Sequence, residues 1–331
     1  MKNTAHNITA EEAITEVTRR FSEKITPAMA AVITHDSDPV ALQYLPDIRE
    51  LETRPEEHVD PIGDHTYSPV KGIVHRHADR VLFKVSSVCA VNCRFCFRKM
   101  MLGTPEETLN LQEVDEALAY IENHPEIWEV ILTGGDPLIL SPRRISRLMD
   151  RLEAIDHVRI IRIHSRIPVA DPQRMDDAFC QLLNREKPVY MVIHINHVQE
   201  ITPQAEQIFR RLHRNGVTLL SQSVLLKNIN DTVEALESLY RKLVEMRIKP
   251  YYLHHPDLVP GTNHFRVGIE QGQLLMKNLR ARASGLCLPA YVLDIPGGYG
   301  KIPLENAYIT SVSGGYIITD YQGRNHTYSK N

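Results

Sequence analysis

Short β-branched runs alternating with amphipathic stretches constrain this chain more than any other feature. The runs fall at Val81–Val85, Glu129–Thr133, Val158–Ile163, Val189–Ile195, Val217–Ser221 and Pro250–Leu253. Between them, Glu113–Asn123, Pro142–Ile155, Gln204–Asn215 and Val233–Met246 carry apolar residues at helical spacing. Ser141 is placed to cap the second of these helices, and Asp231 or Thr232 the fourth. The strands read as near-continuous apolar runs, the pattern of parallel strands covered on both faces. Six β–α units in about 175 residues predict an α/β barrel or partial barrel, with a doubly wound sheet as the competing arrangement.

The flanks have a different texture. Residues 1–75 read as a helical or irregular lead-in. Ile8 to Phe21 has helical spacing, and Pro39, Pro46, Pro55, Pro61 and Pro69 then break up an acid-rich stretch. Residues 76–285 hold the β–α core. Residues 286–331 form a C-terminal segment, with a further strand at Tyr291–Ile295 and a glycine-rich turn through Pro296 to Lys301. A terminal hairpin is expected from Ala307–Val312 and Gly315–Tyr321 around Ser313-Gly314.

Composition narrows the function classes. Lys plus Arg is 38 and Asp plus Glu is 41, a net charge of −3, which argues against a general nucleic-acid or membrane-surface binder. Hydrophobic content of 43% and charged content of 24% exclude wholesale disorder. No apolar run of about 18 residues exists, so no membrane span is expected. The N-terminus lacks the apolar core of a secretory signal, and the expected compartment is the reducing cytoplasm.

Three of the five cysteines fall within eight residues, as Cys89-Ala-Val-Asn-Cys93-Arg-Phe-Cys96. They follow the first strand of the rhythm, and in α/β barrels the loops at that end carry the chemistry. Thiolates are soft ligands that suit zinc or iron–sulfur clusters. Structural zinc wants four closed ligands, and no fourth Cys or His lies at finger-like spacing. Three ligands on a four-iron cube leave one iron open for a non-protein ligand. A non-catalytic metal- or iron–sulfur-binding protein is the bland alternative to an enzyme.

This CxxxCxxC spacing after a first barrel strand resembles the signature of the radical S-adenosylmethionine (SAM) superfamily. The resemblance implies a partial (β/α)6 TIM-like barrel of the radical SAM type. It also implies a [4Fe–4S] cluster on Cys89, Cys93 and Cys96, and SAM on the open iron as the source of a 5′-deoxyadenosyl radical. Leu132-Thr133-Gly134-Gly135-Asp136-Pro137, at the end of the next strand, resembles the family's glycine-rich SAM motif. Its glycines would let backbone approach the ligand closely.

The C-terminal segment sharpens the likeness. A phosphate loop is excluded, because GxxxxGK[ST] needs residues that Ile295 and Ile302 do not supply. Asp294-Ile-Pro-Gly-Gly-Tyr-Gly-Lys301 is instead similar to the pyridoxal-phosphate (PLP) lysine motif of lysine 2,3-aminomutases, in which the lysine forms a Schiff base with the cofactor. Arg98, two residues past the last cysteine, matches the family's substrate-carboxylate arginine. Arg76 and Arg80 match the basic pair that holds the PLP phosphate. The strand ends bearing Ser165, His194 and Gln222 also resemble family motifs, and these strand ends contact SAM and PLP. The resemblance assigns Gly134, Gly135, Asp136, Ser165 and Gln222 to SAM, and Arg76, Arg80, His194 and Lys301 to PLP. It is carried by about residues 70–310 and implies C-terminal PLP binding.

Substrate choice rests on two acids. In lysine 2,3-aminomutases one aspartate follows a Tyr-Tyr pair and another lies seven residues before the PLP lysine; both bind the substrate's side-chain ammonium. Asp257 and Asp294 match. Two converging acids disfavour a second carboxylate, as in glutamate, and favour a cation. The expected reaction moves the 2-amino group of free L-lysine to C3, giving β-lysine, with an arginine 2,3-aminomutase as the alternative. The short chain and the wording of the cysteine loop lean toward the branch that makes β-lysine for elongation factor P. The resemblance further implies an electron donor such as flavodoxin or ferredoxin. No cysteine follows Cys287, which argues against the zinc-tied tetramer of longer relatives; a homodimer is expected, with a monomer as the alternative.

Overall fold

The computed structural model describes residues 9–305, 308–313, 315–320 and 323–329. Ile8, Ala307, Gly314 and Tyr321, which the sequence reading includes in a helix and a hairpin, lie outside the described residues. Nine strands form one sheet in chain order: β1 Ile73–His77, β2 Arg80–Ser86, β3 Glu129–Gly134, β4 Ile160–Ser165, β5 Val189–His194, β6 Thr218–Val224, β7 Lys249–His254, β8 Ala290–Asp294 and β9 Lys301–Pro303. Strands β2 to β8 pair in parallel, and β1 and β9 add antiparallel edges. Helices follow β2 to β7, so the sheet curls as an open, partial TIM-like barrel of six β–α units.

The expected helices form where their caps and apolar faces place them. Ser141 caps Pro142–Glu153, and Thr232, not Asp231, caps Val233–Glu245. Ile145, Leu148, Met149 and Leu152 of the first, and Leu236, Leu239, Tyr240 and Leu243 of the second, pack into the core against the outward faces of the strands. A further long helix, Ile269–Arg282, has no counterpart in the sequence reading. Gly268 precedes it with no side-chain cap, and Gly272 interrupts its apolar face. A Cβ on Gly272 would lie 2.1 Å from the hydroxyl of Tyr291, so that glycine marks close packing on β8.

The strands also depart from the near-continuous apolar reading. In β4, Ile161 and Ile163 face the helices, whereas Arg162 and His164 line the barrel interior. In β6, Leu219 is outward and Leu220, Gln222 and Val224 are inward. The alternation exists because the interior is a cavity and not a packed core.

The lead-in is docked, not separate. Met29, Val40 and Tyr44 pack on Val91 of the cysteine loop and on Ala170. Arg94, inside that loop, sends two donors to the carboxylate of Glu50 at 2.8 and 2.6 Å, and Lys99 adds a third at 2.8 Å. At the other end, β10 Ile309–Val312 and β11 Gly315–Thr319 form the expected hairpin, and β12 Asn325–Ser329 extends it to a three-stranded sheet. Among the described residues, no helix is long and apolar enough to cross a membrane.

Candidate functional site

The barrel interior encloses a cavity of about 770 Å³. It is lined by every residue singled out from the sequence: Arg76, Arg80, Cys89, Cys93, Cys96, Arg98, Gly134, Gly135, Asp136, Ser165, His194, Gln222, Asp257, Asp294 and Lys301. Most come from the C-terminal ends of β2 to β8 and the loops after them, which is how a parallel barrel concentrates distant sequence in one place, while Arg76 lies on β1 and Arg80 and Lys301 open β2 and β9.

The cysteine loop is held by the glycine motif. Gly134 has φ +114°, and a Cβ there would lie 2.3 Å from the Ser86 carbonyl oxygen. Gly135 N–H donates to that same carbonyl at 2.5 Å, and Asp136 N–H donates to the Val88 carbonyl at 2.9 Å. The close approach is thus to the chain leading into Cys89. The Asp136 carboxylate is enclosed as well, accepting from Ser165 Oγ at 2.8 Å, Arg166 N–H at 2.7 Å and Leu138 N–H at 3.0 Å.

The three thiols are free. Burial pushes each one up, with their mutual repulsion adding to it at Cys89 and at Cys96, which rises to about 11. Three soft donors that resist ionisation on their own suit a cationic iron–sulfur group, which favours the thiolates. Among the described residues no three His, Cys, Asp or Glu side chains close on a single metal ion.

The far end of the cavity is built by a hairpin. Asp294 on β8 and Lys301 on β9 are direct cross-strand partners, which explains their seven-residue offset. The Lys301 ammonium is paired with Asp294 Oδ1, and His254 Nδ1 lies 3.3 Å from Oδ2. Burial opposes ionisation of Asp294, yet the His254 hydrogen bond and the Lys301 charge hold it well below the usual carboxylate range. Asp257 is within electrostatic reach. Burial, then repulsion by Asp294, raises it to about 7. The connecting turn is pressed onto the lead-in. Gly298 has φ +87°, and a Cβ there would lie 2.6 Å from the Ile62 carbonyl oxygen and 3.1 Å from Arg76 Nε.

The cationic groups have partners that sequence reasoning missed. Arg98 donates through Nε at 2.9 Å and lies through Nη2 at 2.8 Å from Asp64 Oδ2, while Arg76 Nη2 reaches Asp64 Oδ1 at 3.2 Å. Asp64 therefore couples two arginines that the motifs list separately. It sits in the proline-broken, acid-rich lead-in, where nothing distinguishes it from its neighbours. Arg80 is more open and pairs with Asp79 at 2.6 Å. His194 is edge-on to Phe95, 5.6 Å between centroids. Burial holds both His194 and His164 far below the usual imidazole range, and their Nε2 atoms are buried without partners. Neutral imidazoles with orphaned nitrogens, beside Lys301 and the arginines, fit an anionic, hydrogen-bonding cofactor such as PLP.

Comparison with known proteins adds two family matches. Residues 83–243 match the radical SAM superfamily and residues 276–331 match the lysine-2,3-aminomutase family. The L-lysine 2,3-aminomutase of Fusobacterium nucleatum is 36% identical over 322 residues, covering 96% of this chain and 76% of that protein. The L-lysine 2,3-aminomutase of Clostridium subterminale is 36% identical, covering 97% and 78%. A glutamate 2,3-aminomutase from Clostridioides difficile is 34% identical, covering 93% and 73%.

Proposed function

The chain belongs to the radical SAM superfamily and within it to the lysine 2,3-aminomutase family, and on that footing we propose that it converts L-lysine to β-lysine. The family works with a [4Fe–4S] cluster, SAM and PLP. When bound, these supply a 5′-deoxyadenosyl radical for hydrogen abstraction and a carrier for the migrating nitrogen.

In this proposal Cys89, Cys93 and Cys96 hold the cluster. Gly134, Gly135, Asp136, Ser165 and Gln222 form the SAM side of the cavity. Lys301 carries PLP, with Arg76 and Arg80 on its phosphate and His194 beside it. Arg98, held by Asp64 through Nε and Nη2, receives the substrate carboxylate on its remaining N–H groups. Asp257 and Asp294 receive the side-chain ammonium. Their positions set the substrate's length and polarity and keep its ends apart. The apolar strands and the docked lead-in keep water out.

The single observation that carries the choice of lysine is the Lys301 ammonium on Asp294, with Asp257 beside it. The end of the cavity built from these acids already holds a primary ammonium in the ligand-free chain. A glutamate carboxylate there would face two acids in a desolvated setting. Around this core stand the family-derived expectations: reduction by a flavodoxin or ferredoxin, a homodimer, a cytoplasmic setting, and use of the product for β-lysylation of elongation factor P.

The test offers lysine, arginine and glutamate to the anaerobically reconstituted parent and to Asp257→Asn and Asp294→Asn. The parent prefers lysine. Truncating one partner of a desolvated charged contact costs about 2–5 kcal/mol, so each variant loses about 30-fold or more in kcat/KM for lysine. Iron content stays at the parent level in both variants, and PLP content does so in Asp257→Asn, which does not touch Lys301. Equal turnover of lysine by parent and variants removes the assignment, and a parent preference for arginine changes the substrate.

A further inference from the structure

Arg166 follows β4 and has no task in the reading above. Its guanidinium is buried, with 5% of the residue exposed. Nη1 donates to Cys93 Sγ at 2.9 Å. Nη2 donates to Glu200 Oε2 and to Gln43 Oε1, each at 2.5 Å. Its Cζ lies over two aromatic rings, 4.9 Å from the Tyr44 centroid and 5.4 Å from that of Phe95. Glu200 is fully buried, and its Oε1 accepts from the backbone N–H groups of Asn196 and His197, both at 2.9 Å. Gln43 is locked in turn by Asn196 Nδ2 at 2.9 Å, and its carbonyl accepts from Arg94 N–H at 2.8 Å, the residue after Cys93.

The other two thiols are treated differently. Lys24 Nζ reaches the Cys89 carbonyl oxygen at 2.7 Å, and Cys96 draws on the backbone N–H of Arg98. Cys93 alone, among the described residues, has a guanidinium donor on its sulfur. A buried ion pair of this kind is weak evidence for stability, since apolar replacements of the same volume are often neutral. Its geometry points at the sulfur. Hydrogen bonds and charge around ligating sulfurs set the potential of an iron–sulfur cluster.

We propose that Arg166 and Glu200 are positioning residues that set the reduction potential of the cluster through Cys93. The proposal rests on Cys93 being a cluster ligand. Arg166 stabilises the more negative, reduced cluster and raises the potential. Glu200 neutralises most of that charge and holds the rise in check, so that the cluster stays low enough to pass an electron to SAM. One electron enters from the donor, and neither residue gains or loses a proton.

The experiment is an anaerobic redox titration followed by EPR on the iron-loaded full chain, without SAM or substrate, for the parent, Arg166→Met, Arg166→Lys and Glu200→Gln. Arg166→Met lowers the potential by a tenfold change in the one-electron equilibrium, about 59 mV. Glu200→Gln raises it, and Arg166→Lys falls between Arg166→Met and the parent. If Arg166→Met fails to load iron, the opposite signs of Arg166→Lys and Glu200→Gln carry the test. Unchanged potentials, or shifts of one sign, overturn the proposal, because loosening of the loop cannot move the potential in both directions. Loss of the cluster from all three variants also overturns it, leaving the pair a role in assembly. A parent that binds zinc and no iron overturns the cluster reading itself, an outcome distinct from the others.

Discussion

At the scale of single residues, neighbouring charges in the cavity divide their work. Asp257 and Asp294 share one end of the cavity but differ in state. Asp294 is ionised against Lys301 and His254, whereas Asp257, raised to about 7, is close to half-protonated at neutral pH. Only the ionised form attracts a substrate ammonium. The groups facing Asp257 are Asp294, Lys301, Arg98 and Asp64. Affinity for the cation is therefore present above neutrality and is lost as pH falls through about 7. kcat/KM for lysine should rise across that interval with the slope of one proton, and Asp257→Asn should flatten the limb. A limb that persists in the variant would assign the titration elsewhere. The motif residues themselves were legible, because CxxxCxxC, GGDP and the PLP-lysine segment carry their identity locally. Their partners were not: Asp64, Glu200, Gln43 and Glu50 meet the site from segments 34 to 123 positions away, and no local pattern marks them.

At the scale of elements, the β–α rhythm was legible for physical reasons. Strands β2 to β6 are rich in Val, Ile and Leu, and capped amphipathic helices separate most of them. What escaped is where tertiary packing overrides local pattern. Ile269–Arg282 lacks both a side-chain cap and a clean apolar face, since Gly272 yields to Tyr291. The inward polar positions of β4 and β6 are hidden in runs that look apolar, because a cavity and not a core lies behind them. The β8–β9 hairpin shows the same dependence on tertiary fit. At Gly298, a left-handed backbone meets a carbonyl with no room for Cβ. Gly298→Ala should cost about 1–3 kcal/mol. It should show as a lower midpoint in thermal unfolding and as weaker PLP binding, because the turn carries Lys301. An unchanged midpoint would mean that the turn is not held against Ile62.

At the scale of the whole molecule, the lead-in is part of the site's wall. Glu50 takes Arg94 and Lys99 from the cysteine loop, and Gln43 takes Arg166, so the loop is gripped by the chain that precedes the barrel. Removing one partner of a buried ion pair costs about 3–5 kcal/mol. Glu50→Gln should therefore expose the lead-in to limited proteolysis and lower iron retention while the barrel's own unfolding changes less; protection equal to the parent's would show that the latch is idle. The barrel, the cysteine loop, the β8–β9 hairpin and the docked lead-in together enclose one cavity with thiols at one side and paired acids at the other. The most direct test of what that cavity does is to follow the nitrogen. Lysine labelled with ¹⁵N at the 2-amino group is incubated anaerobically with the reconstituted enzyme, SAM and a reductant, and the product is read by NMR. The account predicts β-lysine with the label bonded to C3. Label that stays on C2, or appears as free ammonia, would contradict it.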